Sequence, residues 1–212
     1  MENWLADARQ SYDTVARSYA DFVRGYPDGQ IYSLSTFALF ADLVNAAGGG
    51  PVADIGCGPG HVTAHLRGLG LDAFGVDLSP GMIDLARGEH PGVRFEVGSM
   101  TALDLENDSL GGIVAWYSTI HVPDEELGTA FAQFHRVLRP GAPLLLGFHA
   151  GEGSNLKTEG YGGHPMKIYV HRRTPAQVGA RLEQAGFAVE AHTLWLDDRH
   201  PAGIVVARRP AT

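Results

Sequence analysis

The chain has 212 residues, 44% hydrophobic and 19% charged, the balance of a globular protein with room for one well-cored domain and not that of a disordered chain. A net charge of −8 argues against a nucleic-acid partner, since such proteins show a basic face, and the one compact basic run is His171-Arg172-Arg173. A single cysteine, Cys57, excludes an internal disulfide framework and any cysteine-based zinc cluster, and no apolar run nears the ~20 residues of a membrane span.

The N-terminus, "MENWLADARQ", is acidic and amphipathic, unlike the basic and apolar regions of a signal peptide. A cytoplasmic location is the expectation. Leu5, Ala8, Tyr12, Val15, Ala16, Tyr19, Phe22 and Val23 recur at helical spacing and predict an amphipathic helix over 2–23. Gly25, Pro27 and Gly29 end it. A second helix, about 31–46, stops at the triple glycine 48–50. The rhythm then changes. A short buried strand at 51–55 leads to a helix at 61–70, a strand at 72–77 and a helix at 79–88, with Ser79 as N-cap and Pro80 in its first turn. A strand at 93–98, a polar loop to about 110, a strand at 111–118 and a helix at 124–138 follow, then an almost wholly apolar strand at 142–149.

Residues 150–170 show no clear period and are rich in glycine and polar residues, which suits either a functional lid or a disordered segment. A helix at 174–187 begins on Thr174 and Pro175, and two closing strands, 188–196 and 203–209, read as a hairpin across 197–203. Strands alternating with helices predict an α/β fold with a mainly parallel, doubly wound sheet and right-handed crossovers. The apolar strands 51–55 and 142–148 suit central positions. The last strand pair breaks the alternation, so one antiparallel strand is expected at an edge. The N-terminal helices would lie over the carboxyl ends of the strands or on the sheet's side.

The first strand-to-helix turn is Gly56-Cys57-Gly58-Pro59-Gly60. Its glycines permit positive φ and close backbone approach, and ligands of open α/β sheets bind beyond the carboxyl ends of the strands, where strand order reverses. N–H groups at the following helix start would favour an anionic group or polar tail. A dinucleotide site would place its third glycine at position 61, which is His61, and no Gly-Lys-Ser/Thr follows for a P-loop. Asp77 ends the second strand, where a carboxylate can accept both hydroxyls of a ribose; the bland reading is an Asx turn or helix cap.

"VADIGCGPG", "GVDLSPGMIDLAR", "VGSMTALDL", "GGIVAWYSTIHV" and "FHRVLRPGAPLLLGFH" stand in an order and spacing that resembles the class I S-adenosylmethionine-dependent methyltransferases. The likeness is to the small-molecule branch that also carries an N-terminal "SYDTVARSYA" helix, and it covers roughly residues 11–150. It implies a Rossmann-like seven-stranded sheet with an antiparallel last strand and an N-terminal helical cap. The implied division is one domain over 1–212: cap 1–47, cofactor-binding core 48–149, candidate lid 150–170, and a C-terminal helix with an edge hairpin over 171–212. The implied contacts are Gly56, Cys57 and Gly58 at the methionine end of S-adenosylmethionine, Asp77 on the ribose, and Leu78 and Met82 against adenine. Ser99 and Met100 would sit at the adenine edge and Trp116 near the reactive end, while Tyr12 and Tyr19, seven residues apart on one helix face, would close over the cofactor. One departure is Gly111-Gly112, where the family often opens the fourth strand with an acidic residue.

Bland readings stand beside these. Trp116 and Tyr117 could be core, and strand alternation sends them to opposite faces, so at least one should be. Tyr12 and Tyr19 could be ordinary helix packing. His61 and His65, at i and i+4, read better as a solvated face than as metal ligands, and no metal is expected. Cys57 lacks a neighbouring base in sequence. The run 171–173 is read as solvated, or as a holder for an anionic substrate. His121 and His149, at the ends of the fourth and fifth strands, are candidate general bases for an acceptor that must lose a proton, or simply loop caps. The expected reaction is methyl transfer from S-adenosylmethionine to a small-molecule acceptor, with S-adenosylhomocysteine as product and neither nucleic acid nor membrane as partner. The alternatives are a protein that binds this cofactor without transfer, and a nicotinamide-dependent oxidoreductase.

Overall fold

The computed structural model describes residues 4–196 and 201–211. Among the described residues nine strands form, numbered in chain order: β1 (Val52–Ile55), β2 (Ala73–Asp77), β3 (Phe95–Val97), β4 (Gly112–Trp116), β5 (Pro143–His149), β6 (Ser154–Glu159), β7 (Pro165–His171), β8 (Ala188–Trp195) and β9 (Ala202–Arg208). Seven of them make one sheet in the order β3-β2-β1-β4-β5-β9-β8. The pairs from β3 through to β5 are parallel, and β9 runs antiparallel to both β5 and β8. The single antiparallel strand is therefore one place in from the edge, and the edge strand β8 runs with the majority. That corrects the expected edge placement: β9, with six of its seven residues buried, is too apolar to stand outside, whereas β8 is largely exposed.

The six α-helices are α1 (Trp4–Phe22), α2 (Ile31–Ala46), α3 (His61–Gly68), α4 (Pro80–Glu89), α5 (Asp124–Val137) and α6 (Pro175–Gln184). Strand alternation divides the core between the two faces of the sheet. Ile113 and Ala115 of β4 join Phe131 and Phe134 of α5 and Leu182 of α6 on one face. Val114 and Trp116 join Phe37, Phe40 and Val44 of α2 and Leu66 of α3 on the other. Ser79 caps α4 by accepting the Met82 N–H at 3.1 Å. Thr174 and Gln177 form a capping box at the start of α6.

The two N-terminal helices divide the alternatives foreseen for them. The second packs on the sheet's side, so closely that the start of β4 has no room for side chains. A Cβ at Gly112 would stand 2.8 Å from Val44 and 2.9 Å from Phe40, and one at Gly111 would fall on the carbonyl of Gly49. The missing acidic residue at the start of β4 has this steric cause. Asp13 of α1 accepts hydrogen bonds from Ser79 Oγ (2.6 Å) and the Gly81 N–H (3.0 Å), which fixes the first helix to α4 at the carboxyl end of β2.

Residues 150–170 are not a bare loop. Strands β6 and β7 form a two-stranded antiparallel ribbon joined by a 3₁₀ turn, Tyr161–Gly163. Met166 and Ile168 are buried against Ala8 and Val15 of α1. The Lys167 N–H donates to Ser11 Oγ at 2.9 Å, and Lys167 Nζ pairs with Asp7 at 2.9 Å. The basic run at 171–173 is not all solvated either. Arg173 is 6% exposed and clasps the carbonyls of Thr119 and Val122 and the Asp124 carboxylate. The far end of the predicted hairpin turn, 197–200, lies outside the described residues.

Candidate active site

The strand order reverses between β1 and β4, and the glycine turn after β1 sits at that point. Gly56 (φ +77°) and Gly58 (φ +54°) are left-handed, and a Cβ at Gly56 would fall on Ser118. Ser118 is held there by donating its hydroxyl to the Ile55 carbonyl at 2.6 Å. The turn's donors are already used: Gly56 and Cys57 N–H both go to Val76 C=O (2.7 and 3.1 Å), and Gly58 N–H goes to Asp77 Oδ2 (2.8 Å). The glycines of the turn thus supply room rather than a nest of free N–H groups. Cys57 is 3% exposed and packs on Ile83, Ala86 and Phe95, and burial pushes its thiol well above the usual value.

A cleft of about 750 Å³ lies over this turn. Asp77, Leu78, Met82, Ser99, Met100 and Trp116 line it, and the first turns of α1 close it from above through Trp4, Leu5, Ala8 and Arg9. Asp77 makes the local bonds of the bland reading as well: Oδ1 accepts the Ser79 N–H at 2.8 Å, and Oδ2 takes Gly58 N–H. Each oxygen still has a second lone pair for a ligand. Burial raises this carboxyl's pKa, with the Asp13 charge adding to the rise, and the backbone N–H groups of Ser79, Gly58 and Leu78 act against it.

A second cavity of about 830 Å³ adjoins the first. Tyr12, Tyr19, Gly56, Gly58, Trp116 and Tyr117 line both. The second cavity extends past Tyr26, His61, His149 and Tyr161. Trp116 is 7% exposed, stacks within 4.7 Å of Phe37, and donates Nε1–H to Tyr26 Oη at 2.6 Å, so it is both core and wall. Tyr117 breaks the alternation by taking φ +53°, rare for a bulky residue. His149 faces it ring to ring at 5.0 Å. His61 stands edge-on to Tyr26 at 5.4 Å, and His65 is tilted against Phe37 at 5.5 Å.

His121 has both ring nitrogens engaged. Nδ1 lies 2.8 Å from the Tyr169 carbonyl and must carry the proton; Nε2 therefore accepts from Tyr12 Oη at 2.7 Å. Burial lowers its pKa to about 4. The triad Tyr12–His121–Tyr169 ties α1 to the 3₁₀ turn Thr119–His121 and to β7.

Residues 52–141 match a family described as "Methyltransferase domain". The chain is 35% identical over 145 residues to malonyl-[acyl-carrier protein] O-methyltransferase of Yersinia pestis, covering 66% of this chain and 51% of that protein. It is 30% identical over 141 residues to N-demethylindolmycin N-methyltransferase of Streptomyces griseus, covering 62% of this chain and 60% of that one. Its fold matches the solved complex of DhpI with S-adenosylhomocysteine at a TM-score of 0.74 and 20% identity over the whole of both chains. Residues 52–141 thus match a methyltransferase domain, and the chain is similar to methyltransferases in sequence and to an S-adenosylhomocysteine-bound protein in fold. The chain spans about half the length of the Yersinia relative.

The walls of the cleft fit an adenosyl sulfonium. The turn has no Cβ where a ligand must pass, Asp77 keeps a free lone pair on each oxygen, and apolar Leu78 and Met82 stand beside it. Two residues at the site escaped the sequence reading. Asp54, 1% exposed, accepts from Thr63 Oγ1 at 2.7 Å and lines the second cavity; burial raises its carboxyl to about 7. A charged residue inside a four-residue apolar strand was the available signal. Tyr117 is the other, and its left-handed backbone leaves no mark in the sequence.

Proposed function

We propose that this chain transfers the methyl group of S-adenosylmethionine to a small molecule seated in the second cavity. The supporting observation is that two cavities share one wall over the Gly56–Gly58 turn. When bound, the cofactor supplies a methyl group on a positively charged sulfur, already a good leaving group. Asp77 holds the ribose, Leu78 and Met82 flank adenine, and Ser99 and Met100 meet its edge. Gly56 and Gly58 admit the methionine end, to which Cys57 offers backbone only. Trp116 walls the junction, and Tyr12 and Tyr19 cover it from the first helix.

The protein's task is aiming, and correct placement of two reactants can remove about 7–11 kcal/mol of barrier. The first helix and the β6–β7 ribbon keep water out of the junction. His121 acts as a positioning residue for Tyr12, because its one free lone pair is already taken by the tyrosine hydroxyl. His149, on the second cavity, is the residue placed to take a proton from an acceptor that must lose one. No helix among the described residues is long and apolar enough to cross a membrane. A cytoplasmic setting and a non-nucleic-acid acceptor suit the net charge of −8.

Calorimetry with S-adenosylmethionine, S-adenosylhomocysteine and NAD, followed by a metabolite screen for S-adenosylhomocysteine release, tests this. The first two ligands should bind and NAD should not, and at least one acceptor should drive release. Binding of NAD with neglect of the adenosyl ligands would point to the oxidoreductase. Binding without release from any acceptor would point to the non-transferring protein.

A further inference from the structure

The second cavity is walled by aromatic rings and carries little charge. Tyr161 stands edge-on to Tyr19 at 4.8 Å and tilted against Phe22 at 5.0 Å; Tyr117 stands edge-on to Trp116 at 5.7 Å. Among the described residues no lysine or arginine lines it, and its one acid, Asp54, is bonded to Thr63 at the end of β1. Burial lowers the pKa of His61 to about 4, so that imidazole is neutral near pH 7. An anionic group placed here would lose its water and find no cation among the lining residues; Lys157 Nζ lies behind that wall, 4.1 Å over the Tyr161 ring. A fixed cation would find faces of rings but only an acid already engaged by its own strand.

The polar groups on offer are neutral. The hydroxyls of Tyr19, Tyr117 and Tyr161 have no hydrogen-bond partner among the described residues. Tyr26 is saturated, since its oxygen accepts from Trp116 and donates to Ser33 at 2.9 Å. Flat walls in edge-to-face array favour a flat guest, and unpartnered hydroxyls favour one with a neutral oxygen or nitrogen.

We propose that the acceptor is an uncharged aromatic molecule bearing a hydroxyl or ring nitrogen, held between Trp116, Tyr117 and Tyr161 and oriented by the free tyrosine hydroxyls. This rests on the second cavity being the acceptor site. It discriminates by charge: carboxylate and phosphate acceptors are excluded by the want of a cation among the lining residues, and primary ammonium acceptors, whose N–H groups need acceptors, by the want of a free carboxylate.

Three probes of one ring size, naphthol, naphthoate and naphthylmethylammonium, are titrated calorimetrically into the full chain at about pH 8, where an ordinary imidazole is neutral, with and without S-adenosylhomocysteine. Naphthol should bind roughly tenfold or more tightly than either charged probe. Phe22, on the rim and 71% exposed, can carry a new charge without disturbing the core. Phe22→Arg should tighten naphthoate roughly tenfold. The inference is overturned if either charged probe binds the parent as tightly as naphthol, or if none of the three binds. Failure of S-adenosylhomocysteine to bind would sink the methyl-transfer reading instead, and the ranking of probes in the cofactor-free protein would still decide this one.

Discussion

Replacing Asp77 by Asn changes one oxygen to an amide nitrogen and leaves the shape intact. In the parent, Oδ1 accepts the Ser79 N–H and Oδ2 the Gly58 N–H, each at 2.8 Å. Asparagine can serve only one of these, and its amide then confronts the other N–H. Leaving a buried donor unsatisfied costs about 1–3 kcal/mol, which in a protein of this size lowers Tm by roughly 2–12 °C. The ribose would also lose a charge-assisted bond worth about 1.5–3 kcal/mol, or about 10–150-fold in Kd. Calorimetry with S-adenosylhomocysteine, well below both melting points, reads the second effect, and thermal unfolding reads the first. Asp72→Asn is the matched control, since that side chain is 76% exposed and its nearest cation, Arg67, is 3.7 Å away. An Asp77→Asn protein that binds within about threefold of the parent refutes the assignment.

Three other outcomes are expected. Asp54 has a raised carboxyl, about 7 against an ordinary 3.8, so the folded state holds its proton more tightly and stability falls as pH rises between the two values. Asp54→Asn should remove that fall, at most about 1.4 kcal/mol per pH unit, in urea unfolding at about pH 5 and about pH 8; equal slopes in parent and variant contradict it. His121 is shifted the other way, to about 4, and its contribution to stability is lost as pH drops from its unfolded value of about 6.5 toward 4. Because it positions Tyr12, His121→Gln, which can still accept the tyrosine proton, should keep more turnover than His121→Ala; equal loss in both, with an acidic limb in the parent near pH 4, would mark it as the base. Gly112→Ala should destabilise by about 1–3 kcal/mol through overpacking against Val44 and Phe40, seen as a lower Tm, and an unchanged Tm would show that the second helix yields.

The legible parts of the sequence were those whose local signals agreed with the fold. Ser79-Pro80 and Thr174-Pro175 start α4 and α6 where cap chemistry puts them, and the apolar runs at β1 and β5 became central strands. The glycine turn and Asp77 were readable because glycine, acid and strand end fall in a fixed order; Leu78, Met82, Ser99, Met100 and Trp116, which also line the cleft, were implied by the resemblance alone. The β6–β7 ribbon was not, because only Met166 and Ile168 are buried on it while its other strand shows no buried residue. Its order comes from α1, a contact between residues some 150 positions apart in sequence, such as Lys167 with Ser11. The place of β9 between β5 and β8 is likewise tertiary, as is the use of the glycine turn's N–H groups on Val76. In sequence His121 reads equally as a candidate base or a loop cap; its two partners come from α1 and β7.

The central claim is that the cleft beside Asp77 receives an adenosyl sulfonium whose methyl end points into the aromatic cavity. A crystal structure of the chain soaked with S-adenosylhomocysteine tests it most directly. The account predicts ribose hydroxyls on the Asp77 carboxylate, adenine against Leu78 and Met82, and sulfur at the wall shared by Trp116 and Tyr117. A nucleoside bound elsewhere, or an empty cleft at saturating ligand, would contradict it.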